Sequence, residues 1–91
     1  MLKKTSPQKV IDDDLGYVIQ VADRYHVEYL ERHRRAIVEV DFGPVVGIYR
    51  DTLKAWVTSV GNCSMSDDER DTVLSRVEGA LQFMGSKVEF C

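Results

Sequence analysis

Polar and apolar residues alternate through the first half of this chain, and apolar residues return at helical spacing in the second. Tyr17-Val-Ile-Gln-Val-Ala22 puts Tyr17, Ile19 and Val21 on one side of an extended strand, and His26-Val-Glu-Tyr-Leu-Glu31 does the same with Val27 and Tyr29. Ala36-Ile-Val-Glu-Val-Asp-Phe42 alternates most cleanly, with Ala36, Val38, Val40 and Phe42 inward and Glu39 and Asp41 outward. Gly43-Pro44 is a turn signal, and Val45-Val-Gly-Ile-Tyr-Arg50 reads as a fourth strand. Connections this short join neighbouring antiparallel strands, so the pattern predicts a meander.

The period then changes. Asp51 can cap a single helical turn that carries Leu53 and Trp56 into the core, and Val57 to Met65 reads as a loop. Ser66 with Glu69 three residues later is a capping box, in which each side chain satisfies the other residue's unpaired backbone N–H. Val73, Val77, Ala80, Leu81 and Met84, with Leu74 beside them, form one apolar stripe, and Gly85 suits the left-handed position that ends a helix. The spacing predicts a helix over 67–84, about 27 Å long at ~1.5 Å per residue. Gly79 inside it costs roughly 1 kcal/mol relative to alanine, and close packing on the sheet is the expected reason for it.

Lys87-Val-Glu-Phe-Cys91 supplies a last strand. The expected fold is α+β: an antiparallel β-meander with one long helix packed on one face and a C-terminal strand, in the order ββββαβ. Residues 1–15, with lysines, a proline and Asp12-Asp13-Asp14, read as a loosely ordered N-terminal arm, and 16–91 as a single α+β domain. Leu53, Trp56, Val77 and Leu81 are assigned to the core. The first and fourth strands are apolar on both sides, Val18 and Ala22 beside Ile19 and Val21, and Val45 beside Val46 and Ile48, so the second sheet face is expected to be partly apolar. Such a face suits a partner or a second copy of the chain, and a homodimer is one expectation.

A chain of 91 residues holds one core. Its 44% hydrophobic and 30% charged content is that of an ordinary globule, and its net charge of −3 with a pI near 5.3 favours a basic partner over nucleic acid. The first residues lack the apolar stretch of a signal peptide, and no apolar run approaches the roughly 20 residues that span a bilayer. Cys63 and Cys91 form no recognised pairing or redox motif, which fits free thiols in a reducing cytoplasm. His26 and His33 do not stand at zinc-ligand spacing with them, there is no phosphate-binding glycine loop, and no nucleophile motif occurs. The expectation is therefore a protein with neither metal nor cofactor and no catalytic constellation.

Two charged clusters remain. Arg32-His33-Arg34-Arg35 is the one basic run, and a small nucleic-acid-binding domain using Arg32, Arg34 and Arg35 is the alternative reading of the chain. Asp67, Asp68 and Glu69 lie where a helix dipole favours anions, worth about 0.3–1 kcal/mol each. Asp71 gains less there, and Asp12-Asp13-Asp14 gain nothing from any predicted helix. That surplus of carboxylates suits attraction to a cationic surface.

The order of elements carries a resemblance. A meander ending in Val-x-Ile-Tyr-x-Asp-x-Leu-x-x-Trp, here Val46 to Trp56, precedes a Ser-Asp-x-Glu-Arg helix that closes with Ala80-Leu-Gln-Phe-Met-Gly85 and a short Val-Glu-Phe strand. Over residues 17–91 this resembles small bacterial immunity proteins found with polymorphic toxins, including those of contact-dependent growth inhibition. The resemblance implies a cytoplasmic, non-catalytic inhibitor that binds the C-terminal domain of a cognate toxin, often a basic nuclease, and covers its active-site surface. No membrane contact and no direct nucleic-acid contact are implied. For such a contact the partner-binding candidates are Asp67, Asp68 and Asp71 at the helix start, with Glu39 and Asp41 on the exposed strand face.

Overall fold

The computed structural model describes all residues, Met1–Cys91. Nine strands and one helix form a curled sheet with α1 (Asp67–Phe83) on one face. The strands are β1 (Leu2–Ser6), β2 (Lys9–Asp12), β3 (Tyr17–Asp23), β4 (His26–Glu31), β5 (Arg34–Asp41), β6 (Val46–Tyr49), β7 (Ala55–Thr58), β8 (Gly61–Ser64) and β9 (Val88–Phe90). They lie in the order β1-β2-β3-β4-β5-β6-β9, while β7 also pairs with β5, and β8 with β7. The fold is the α+β class read from the pattern, with the meander, the helix and the final strand in place.

Register explains the core. Paired residues share a face, so Val10, Ile19, Tyr29 and Ala36 form one row across β2 to β5, and Val21, Val27 and Val38 form the next. These rows meet Val73, Leu74, Val77, Ala80 and Leu81 of α1, and the helix is the cover that keeps them from water. Leu53, Trp56, Val77 and Leu81 are all buried, as expected. On the opposite face Ile11, Val18, Leu30 and Val57 form a partly exposed row, interrupted by Arg35. The second face is thus partly apolar, and no element of the chain packs over it.

The structure corrects several local expectations. Residues 1–15 are not a loose arm: β1 and β2 form a hairpin whose outer strand is mostly exposed and whose inner strand buries Val10 completely. Asp12-Asp13-Asp14 is consumed in the turn that follows. Asp12 accepts the backbone N–H groups of Asp14 and Leu15 at 3.0 and 2.9 Å, and Asp13 pairs with Lys3 at 2.6 Å. Asp14 receives the amino terminus. The stretch Val57 to Met65 is not a loop either, because β7 and β8 form a second hairpin within it.

Asp51 caps nothing. The 3-10 turn at Arg50–Thr52 has no side-chain cap, and Thr52 does the joining instead. Its Oγ1 accepts the Glu39 N–H at 2.9 Å and donates to the Tyr49 carbonyl at 2.6 Å. Ile48 lies opposite Val40 and Val57 opposite Arg35, so the chain takes nine steps where β5 takes five. The surplus residues bulge out as the 3-10 turn, and Thr52 holds that bulge against β5. Phe42 lies just past the end of β5 and stays 38% exposed rather than inward.

The helix ends as expected. Gly85 has φ +97°, and the Ser86 and Gly85 N–H groups bond back to the Leu81 and Gln82 carbonyls. Gly79 is not explained by close approach, because a β-carbon there would meet nothing within 4 Å. The final strand, β9, joins β6 in parallel at the sheet edge.

Candidate functional site

The carboxylates at the helix start divide into those the fold uses and those it does not. Ser66 Oγ accepts the Glu69 N–H at 3.1 Å and Glu69 Oε1 accepts the Ser66 N–H at 3.0 Å, the reciprocal cap read from the sequence. The second oxygen of Glu69 reaches the sheet. Oε2 accepts from Trp56 Nε1 at 3.2 Å and from Arg34 Nη1 at 3.0 Å. Backbone bonding at the cap, helped by the Ser66 hydroxyl, Trp56 and Arg34, holds the Glu69 carboxyl below the usual glutamate range against the cost of desolvation.

From Glu69 the network runs inward. Arg34 lies 3.9 Å over the Trp56 ring, and its Nη2 donates to Glu31 Oε2 at 3.1 Å. Glu31 Oε1 lies 3.5 Å from Arg76 of α1, and Arg76 donates to the Tyr29 hydroxyl at 2.6 Å while covering the Tyr17 ring at 4.7 Å. Burial pushes the Tyr29 hydroxyl above the ordinary tyrosine range. Positive and negative groups alternate, and no buried side-chain polar atom lacks a partner. A groove of about 220 Å³ runs beside this network, with Asp68 and Thr72 at its rim.

Asp67 and Arg70 pair at 2.6 Å on the helix surface. Asp68 and Asp71 are exposed and form no ion pair, although Asp71 shares a groove with Arg50, Asp51 and Arg70. Both arginines of α1 are therefore committed, Arg70 to Asp67 and Arg76 to the sheet, while two carboxylates of the first turns face water. Glu39 and Asp41 are exposed on β5, on the face opposite the helix, alongside Ile37. The five candidate residues are thus not one site. Asp67, Asp68 and Asp71 form one group on the helix, and Glu39 and Asp41 form a second on the far side of the sheet.

The basic run is divided in the same way. Arg34 and Arg35 are adjacent on a strand and point to opposite faces, Arg34 into the network and Arg35 outward, 3.7 Å from Glu28. Arg32 stands in the β4–β5 turn at φ 55°, where a residue with a β-carbon is disfavoured by roughly 1–2 kcal/mol. Arg32, His33, Arg34 and Arg35 line a groove of about 350 Å³ with Thr58 and Ser59, over Leu30 and Val57.

Sequence reasoning missed the network residues Tyr29, Glu31, Trp56 and Arg76 as a polar assembly. The sequence reads Arg34 and Arg35 together as part of one basic run ahead of a strand beginning at Ala36, whereas the strand begins at Arg34 and its period sends the two to opposite faces, and nothing local links Arg34 to Glu69 or Tyr29 to Arg76. His26 lies 2.8 Å from Asp23 in the β3–β4 turn, while Cys63 and Cys91 are both free and exposed. No group of three or more His, Cys, Asp and Glu side chains is arranged to hold a metal ion, and no helix is long and apolar enough to cross a membrane. No family model, curated protein or solved structure matches this chain.

Proposed function

We propose that this chain is a non-catalytic, cytoplasmic immunity-type protein that binds a cognate toxin domain and covers its active surface. The partner that fits best is a basic domain, such as a nuclease whose phosphate-gripping surface is cationic. The observation that carries this reading is the charge on α1: its two arginines are engaged within the fold, and Asp68 and Asp71 project from its first turns with no intramolecular partner. A rigid helix presents them, anchored by its cap and by the Glu69–Arg34–Glu31–Arg76 network, so little ordering is needed when a partner arrives. Glu39 and Asp41 would extend the contact only for a partner that also reaches round the sheet, and they serve here as secondary candidates.

Co-expression is the direct experiment. The C-terminal toxin domain encoded beside this chain is produced with and without it, and binding and survival are measured. Complex formation together with rescue of growth is the expected result. A toxin domain that neither binds nor is neutralised would reject the reading.

A further inference from the structure

The groove at the β4–β5 turn has a composition the acidic helix does not explain. Four basic side chains line it, Arg32, His33, Arg34 and Arg35, and no carboxylate does. Arg32 and Arg35 donate no side-chain hydrogen bond, although Arg35 is within ion-pair range of Glu28. Arg32 forms no ion pair, and the one carboxylate near Arg35, that of Glu28, lies 3.7 Å away, beyond hydrogen-bond length. Arg34 is already bonded to Glu31 and Glu69, so it forms a fixed wall of the groove.

The opposite wall is also held. Thr58 Oγ1 donates to the Gly61 carbonyl at 2.7 Å and accepts the Val60 N–H at 3.3 Å, which pins the β7–β8 hairpin tip that carries Ser59. Arg32 is the only non-glycine residue of the chain in the left-handed region. Glycine would relieve that turn, and the arginine that stands there instead places its side chain at the groove.

We propose that this groove is a binding site for a phosphate monoester. A monoester carries close to two negative charges and three strong acceptor oxygens, which match the guanidinium groups of Arg32 and of Arg35, the latter drawn from its long ion pair with Glu28, with the Ser59 hydroxyl and His33 ring lining the same groove. Leu30 and Val57 offer the apolar floor for the esterified group. The site is separate from the acidic helix surface and stands whether or not that surface binds a toxin.

The test uses the full chain, ¹⁵N-labelled and titrated at constant ionic strength with inorganic phosphate, phenyl phosphate and a dinucleoside monophosphate. Saturable shifts confined to the Arg32–Arg35 and Thr58–Val60 segments are expected, with the monoester bound more tightly than the diester. Arg32→Gly should raise the melting temperature and weaken phenyl phosphate binding about tenfold, as loss of a charge-assisted contact does. Arg35→Gln should weaken it without raising stability. The assignment is overturned if chloride at the same ionic strength reproduces the shifts, if the diester binds as well as the monoester, or if Arg32→Gly keeps full affinity.

Discussion

Glu69 is the residue on which helix and sheet meet, and its chemistry sets a pH dependence. Its folded carboxyl titrates below the ordinary range, as do those of Asp12 and Asp23, each held down first by a backbone N–H bond. A carboxyl depressed in the folded state stabilises the protein above its unfolded value and loses that contribution as pH falls through the folded one. Melting temperature should therefore be flat near neutrality and decline from about pH 5 downward. Glu69→Gln keeps a capping side chain but removes the charge that meets Arg34, so its melting profile should start lower and fall less steeply in acid. A variant profile parallel to the parent's would contradict the role given to this carboxylate. Thr52→Val should cost about 1 kcal/mol in urea unfolding, because the Glu39 N–H and the Tyr49 carbonyl both lose their partner. At this scale the cap was legible because it is local, a serine and a glutamate three residues apart. The network was not, because it joins residues 35 and 47 positions apart in the chain.

Among the elements, legibility followed the strength of apolar alternation. β3 to β6 and α1 bury regular sets of side chains and could be placed from their periods. β1 and β8 could not: Leu2-Lys-Lys-Thr-Ser6 is nearly all exposed, and Gly61-Asn-Cys-Ser64 is exposed throughout. Such strands exist because a neighbour supplies the backbone partners, which no local pattern records. The N-terminal hairpin is nonetheless part of the fold, and removing residues 1–12 would uncover the edge of β3 and delete Val10, whose burial alone is worth about 1.5–3 kcal/mol. The truncated chain should melt well below the parent, and an unchanged melting temperature would show the hairpin to be dispensable. Gly79→Ala should do the reverse. With open space at the β-carbon position, the helix gains about 0.5–1 kcal/mol, seen as a rise of a few degrees in melting temperature.

For the molecule as a whole, net charge describes function poorly and the distribution of that charge describes it better. The Asp12-Asp13-Asp14 triplet looked like a second acidic patch, yet turn bonding, Lys3 and the amino terminus absorb it. Arg34 looked free and is locked. Among the charges left for a partner are the pair Asp68 and Asp71 on one side, Glu39 and Asp41 on the other, and the cationic groove at the β4–β5 turn. The division could not be read from the chain alone, because it depends on which charges find each other across the sheet.

The most direct measurement is the association rate of this chain with the basic toxin domain proposed as its partner, followed from low to high salt, for the parent and for Asp68→Lys with Asp71→Lys. The parent should associate fast at low salt and slow as salt screens the attraction, and the double variant should associate about tenfold or more slowly at low salt, with the two converging at high salt. Equal rates for parent and variant, or a rate that does not respond to salt, would contradict the claim that the exposed carboxylates of α1 meet the partner.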